Sequence, residues 1–181
     1  WGGMLAMDYA LEHPDGLAAI VVADSPASMT LWVSEANRLR EALPPDVQET
    51  LTRHEQDGTT DDPEYEAAVA GFYERAERWG DAAKVYARAL ESSPDDPDLQ
   101  KGYASALLNA GGQDNLTKAR DVLKMVVAAN GADARAQYLL SQAERESGNL
   151  DGAEAAARRV IAVQAQSPWG YYALAETLEQ R

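Results

Sequence analysis

The side chains in this sequence best suited to chemistry are two histidines, His13 and His54, the serines Ser25 and Ser28 near Asp24, and the acidic run Asp61, Asp62, Glu64 and Glu66. A hydrolytic triad needs a base within hydrogen-bond reach of its nucleophile and a third group that orients the base. His13 precedes Pro14-Asp-Gly16 at the end of a helical stretch, where a cation meets the negative end of the helix dipole. His54 lies on a polar helix, and neither histidine has a partner at ligand spacing, so no metal site is expected. The four acids fit the first turn of a helix, where negative charge is favoured. There is no cysteine, which excludes disulfides, thiolate metal sites and Cys nucleophiles. Gly111-Gly112 lacks the strand and the lysine of a phosphate loop. The sequence as given reads as non-enzymatic, with no metal and no cofactor.

The elements that would position these groups are mostly helical. A helix is expected over 1–13, then a strand over 18–23 with β-branched Ile20, Val21 and Val22. Helices are expected over about 29–42 and 46–56. Thr59-Thr-Asp-Asp-Pro63 should cap another that runs through Tyr73. The longest apolar run, Leu17 to Ala23, is too short to span a bilayer. The net charge of −14 argues against nucleic acid, which is held through phosphate neutralisation by Lys and Arg. That charge is uneven: residues 1–75 hold 15 acids and 4 bases, whereas 76–181 hold 15 and 12. The sequence begins at Trp1, from which a missing natural start is expected. The compartment is left open, with the cytoplasm favoured.

The second part repeats itself. Trp79, Ala82, Tyr86, Ala89 and Pro94 fit the second helix of a unit that starts near 63, and further units in phase with it start near 97, 134 and 168. Tyr103, Ala104 and Leu107 match Leu140 and Ser141 of the following unit, and Ala119, Leu123 and Val126 match Ala153, Ala157 and Val160. Three extra residues are placed in the turn Gly111-Gly-Gln-Asp-Asn115. Small residues at repeat positions 8, 20 and 27 let two helices of a hairpin approach closely, and each hairpin buries its apolar face on the next. Over about 63–181 this pattern resembles the tetratricopeptide repeat family. The resemblance implies a mainly α solenoid of about 3.5 helical hairpins that binds a protein or peptide in a groove. The chain would end with half a hairpin, its apolar face uncovered.

Residues 1–75 carry a different resemblance. Trp1-Gly-Gly-Met looks like the nucleophile turn of an α/β-hydrolase from the residue just after its serine. Ala23-Asp-Ser-Pro-Ala-Ser28, Trp32-Val-Ser-Glu-Ala-Asn-Arg38, Asp61-Asp-Pro-Glu-Tyr-Glu66 and Phe72-Tyr73 are similar to proline iminopeptidases. The resemblance implies a truncated hydrolase fragment: a helix, a short strand and cap helices. Trp1 would be the oxyanion-hole residue after a missing serine, and no catalytic residue carries over. The helix from Pro63 to Ala76 suits both patterns, so the expected division is 1–75 and 76–181, with a seam near 75. A strand without its sheet would be poorly paired, or would self-associate through 18–23.

A tetratricopeptide groove is lined by positions 2, 5, 9, 12 and 13 of each first helix. Here these supply Lys101, Ser105 and Asn109, then Arg135, Tyr138, Gln142 and Arg145, then Trp169, Tyr172 and Glu176. Lys101, Arg135 and Arg145 would make a basic strip suited to an acidic peptide, with Trp169 and Tyr172 as aromatic anchors. Two other readings stay open. One is a fragment of a serine aminopeptidase releasing N-terminal proline, active only in a full-length parent. The other is a chimeric product without native function.

Overall fold

The computed structural model describes residues 2–12, 15, 16, 18, 19 and 28–181. Trp1, His13, Asp24, Ser25 and most of the expected strand over 18–23 lie outside these. The described residues form ten helices and no strand. They divide into two compact units, Trp1–Gln48 and Glu49–Arg181.

The first unit contains α1 (Gly2–Leu11), α2 (Met29–Glu41) and the start of α3 (Pro45–Asp57). Ser28, a nucleophile candidate in the sequence, is the N-cap of α2, and its hydroxyl accepts the Leu31 N–H at 3.2 Å. That bond satisfies one of the donors left open at a helix start.

The second unit is a run of helices that pack in sequence. They are the end of α3, then α4 (Pro63–Arg75), α5 (Trp79–Ser92), α6 (Pro97–Ala110), α7 (Gln113–Ala129), α8 (Ala134–Glu146), α9 (Leu150–Val163) and α10 (Pro168–Glu179). From α4 onward each helix contacts the next, and short connections make such neighbours antiparallel hairpins: α4–α5, α6–α7, α8–α9 and the half-hairpin α10. In addition α6 touches α8 and α8 touches α10, so the first helices of successive hairpins lie side by side. The starts of these first helices are built alike. Asp62, Asp96 and Asp133 each accept N–H bonds from the first turn, and Pro63, Pro97 and Pro168 open α4, α6 and α10.

The phase read from the sequence is the packing of the core. Ala70, Ala104 and Ser141 at position 8, Ala82, Ala119 and Ala153 at position 20, and Ala89, Val126 and Val160 at position 27 are all buried, none above 3% exposed. A side chain larger by even a methylene would hold two helices apart at such contacts. The larger Tyr86, Leu99, Leu107, Leu123, Leu139 and Leu140 fill the spaces between.

One sequence expectation is corrected. The three extra residues of the second unit do not enlarge its turn. Gly111 and Gly112 alone separate α6 from α7, both at positive φ (71° and 91°), which lets the chain reverse in two residues. The extra residues lengthen α7 instead, to 17 residues against 14 in α5 and in α9. Gln113-Asp-Asn115 therefore forms a leading turn, favoured by Asp114 at the positive end of the helix.

Candidate functional site

The first helices α4, α6, α8 and α10 set their position-2 residues in a row: Glu64, Asp98, Arg135 and Trp169. Two cavities open along it. One of about 320 Å³ is lined by Ala134, Arg135, Tyr138, Val160, Gln164, Ser167 and Trp169. Tyr138 and Trp169 meet edge to face there, ring centroids 5.7 Å apart, in a geometry that aromatic quadrupoles favour. Tyr138 is half-buried, whereas Trp169 is 58% exposed and leaves most of its indole for another molecule. Gly170 makes this possible, because a Cβ there would stand 2.7 Å from Ile161 Cγ1 and 2.9 Å from the Ile161 nitrogen, pushing α10 off α9. The second cavity, about 390 Å³, lies between α4, α6 and α8 and includes Glu64, Asp96, Asp98, Tyr86, Gly102 and Arg135 in its wall.

The expected cations differ in their surroundings. Lys101 is buried, and its ammonium sits 2.7 Å from Asp133 and 2.9 Å from Asp98. Burial alone would lower its pKa, but the hydrogen bonds to the two carboxylates outweigh this and raise it. Asp133 is the matching half: burial pulls its pKa up, but Lys101 and the backbone N–H of Ala136 hold it below the usual range. Arg145 is half-buried and pairs with Glu176 at 3.2 Å. Arg135 is exposed and makes no ion pair among the described residues. So of the three cations in the expected strip, Lys101 and Arg145 are held internally and Arg135 is left facing both cavities. Ser105 and Asn109 bond to each other through the Asn109 amide and the Ser105 carbonyl, 2.8 Å. Gln142 donates to the Tyr138 hydroxyl at 3.2 Å, and Tyr172, 54% exposed, is hydrogen-bonded to Glu176, which raises its pKa. Glu64 and Asp98 belong to the same row; from the sequence Glu64 was read only as a first-turn acid, and Asp98 was not singled out.

His54 has a fuller environment than its polar helix suggests. It is buried, with Nδ1 2.8 Å from the Thr59 hydroxyl and Nε2 3.4 Å from Glu64 Oε2. Thr59 also donates its backbone N–H to the His54 carbonyl, and it lines neither groove cavity, so the trio fastens α3 to the start of α4. Ligand atoms of His54, Asp62 and Glu64 come within 4.8 Å of one another, closer than the spacing in sequence implied. A cation there would face the Arg53 guanidinium, 2.7 Å from Glu64, and the positive end of α4.

Comparison with known proteins bears on both halves. Residues 74–143 match the profile of the tetratricopeptide repeat family. Over these residues the chain is similar to tetratricopeptide repeats. The tetratricopeptide fold extends over more of the chain. The first such domain of Spaghetti (RPAP3), solved with an HSP90 peptide, SRMEEVD, superposes with a TM-score of 0.60. It is 16% identical and covers 67% of this chain and 94% of its own. MamA from Desulfovibrio magneticus superposes with a TM-score of 0.63 at 24% identity, over 83% of this chain and 84% of that one. In sequence the chain is also similar to curated proline iminopeptidases. The enzyme of Heyndrickxia coagulans is 35% identical over 95 residues, 52% of this chain and 30% of that protein. That of Lactobacillus delbrueckii subsp. lactis is 31% identical over 122 residues, 65% of this chain and 37% of the enzyme, so this match runs past residue 75. The chain thus spans about a third of the length of these relatives.

Proposed function

We propose that the tetratricopeptide array binds an extended peptide segment of a partner protein along its first helices and is not itself catalytic. The observation that carries this is the convergence of Arg135, Tyr138 and Trp169 on one cleft, with an exposed guanidinium beside a mostly exposed indole. Arg135 would hold a carboxylate through charge-assisted hydrogen bonds, and the aromatic pair would take an apolar side chain. Ser105, Asn109, Gln142 and Tyr172 would face the passing backbone, while Lys101 and Arg145 set the groove's shape through their internal pairs. The peptides in complex with structural neighbours of this fold, SRMEEVD and SGPTIEEVD, support an acidic peptide ligand.

Selection of a random decapeptide phage library on the folded chain, followed by calorimetry, tests the proposal. Selected peptides should lose about tenfold or more in affinity in W169A and in R135A, as expected for an aromatic anchor and for one charge-assisted contact. Binding unchanged in both variants would refute it.

The iminopeptidase similarity supports a second reading, in which residues 1–75, and with the length of these matches some residues beyond them, descend from such an enzyme and are joined to the repeat part. In this reading α4 serves both parentages, as a cap helix of the enzyme and as the first repeat helix. Hydrolysis of a prolyl-arylamide by this chain would overturn the non-catalytic proposal.

A further inference from the structure

The cleft at Trp169 has a shape and a polar end that the first-helix positions alone do not account for. Its volume of about 320 Å³ lies at the lower end of the range of about 300–1,000 Å³ usual for ligand clefts. Val160, 1% exposed, and Ala134 give it apolar wall, and the Tyr138 and Trp169 rings meet there at an interplanar angle of 63°. A third ring laid flat on one of them turns its edge towards the other, so both contacts follow the quadrupole preference. A valine or leucine side chain has neither that area nor that quadrupole, and would leave part of the cleft without packing partners. The remaining wall is polar and comes from the α9–α10 connection: Gln164 follows α9 and Ser167 precedes α10. The Ser167 hydroxyl makes no bond to its own helix, and among the described residues neither side chain has a hydrogen-bond partner. A hydroxyl and a primary amide can each donate and accept, which suits another hydroxyl. A carboxylate only accepts, and its match is Arg135, whose guanidinium only donates.

We infer that the cleft between α8, α9 and α10 receives a tyrosine of the bound segment, its ring against Tyr138 and Trp169 and its hydroxyl at Gln164 and Ser167. This rests on the groove reading above and deepens it. The aromatic pair selects a ring over an aliphatic chain, and Gln164 and Ser167 select tyrosine over phenylalanine. An acidic residue beside that tyrosine in the segment stays with Arg135. Gln164 is exposed and Ser167 half-buried, so both keep access to water. The preference for the hydroxyl is therefore modest, about fivefold, well short of what a fully enclosed pairing group enforces.

The N-acetyl-N-methylamides of tyrosine, phenylalanine and leucine provide the test, each titrated into the ¹⁵N-labelled full chain and followed by N–H shifts. The tyrosine compound should saturate shifts at Ala134, Tyr138 and Val160 and at the Trp169 indole. The phenylalanine compound should bind about fivefold more weakly, and the leucine compound more weakly still. S167A and Q164A should each lower the tyrosine-to-phenylalanine ratio, and the double variant should bring it to about one while phenylalanine binding holds. A purely structural role for the two residues would not move that ratio. S167A is the safer variant for folding, because the hydroxyl it removes caps nothing. Leucine binding as tight as tyrosine binding, a ratio unchanged in the double variant, or no saturable shift with any of the compounds would each overturn the inference. The two proposals fail separately. Selected peptides that depend on Arg135 and Trp169 but carry no enriched tyrosine would sink this inference and leave the groove reading intact. Saturable, Ser167-dependent binding of the tyrosine compound with no selectable peptide would do the reverse.

Discussion

Asp133 joins two jobs in one carboxylate, and its removal should be the most costly single change on the groove side. One oxygen accepts the Ala136 N–H at 2.8 Å and caps α8; the other takes the Lys101 ammonium at 2.7 Å. Loss of an aspartate cap costs about 1 kcal/mol. Breaking a fully buried pair costs about 3–5 kcal/mol, while an exposed one is worth about 0–1 kcal/mol. The side chains here are 10% and 14% exposed, and Lys101 keeps Asp98 as a second partner at 2.9 Å, so the pair should contribute about 2 kcal/mol. D133A should therefore lose about 3 kcal/mol. D133N keeps a capping oxygen and should lose about 1–2 kcal/mol, and K101M, which keeps the apolar stem packed, about 1 kcal/mol or less. Urea denaturation at neutral pH, followed by helical circular dichroism, measures all three. If D133A and D133N were equally destabilised, the cap would contribute nothing. If both fell below about 0.5 kcal/mol, the surface-pair range would apply and the reasoning would be refuted.

The remaining expectations concern other sites. Asp133 and Glu144 both have pKa values held below their usual range, against a burial cost in each case, so the stability they confer is present above their unfolded values. It should fall away as acid titration passes down through their folded values, and D133N should flatten that part of a stability–pH curve. Lys101 carries the opposite sign: its raised pKa means that its contribution is complete at neutral pH and is lost only as strong alkali deprotonates it. G102A should drive the Tyr86 ring from its place, with overpacking of about 1–3 kcal/mol exceeding the helix-propensity gain of about 1 kcal/mol, whereas G80A, where nothing lies within 4 Å, should stabilise slightly. W169A should change the unfolding free energy by less than about 1 kcal/mol, because the indole is mostly exposed, while weakening peptide binding about tenfold or more. A double-mutant cycle on Arg145 and Glu176 should give a coupling of about 1 kcal/mol, the pair being only partly exposed.

The repeat could be read from the sequence because side-chain size at fixed positions is what sets helix–helix distance. Ala82, Ala119 and Ala153 show this directly: residues 34 or 37 apart in the chain, all without exposed surface. The helices over Met29–Glu41, Pro45–Asp57 and Pro63–Arg75 were equally legible, since Ser28 and Asp62 are caps and Pro45 and Pro63 start helices without losing a bond. The site was less legible. A groove position says which way a residue points but not what lies opposite, so the capture of Lys101 by Asp133, 32 residues away, had no local signal. The same holds for the Arg145–Glu176 pair and for His54, whose partners Thr59 and Glu64 become neighbours only when α3 meets α4. Placing the three extra residues failed for another reason. Two glycines, two amides and an aspartate have the composition of a loop, yet two positive-φ glycines already complete the reversal.

Those three residues have a consequence for how such an array can change. They add about 4.5 Å to the near end of α7, at 1.5 Å per residue, and Leu116 stays buried at the site where Trp79 and Leu150 begin their own helices. The spacing from α6 to α8 is preserved, and with it the row that ends in Arg135 and Trp169. Outer helices can thus grow or shrink by most of a turn while the inner row keeps its pitch, so chain length can drift on one side without disturbing recognition on the other.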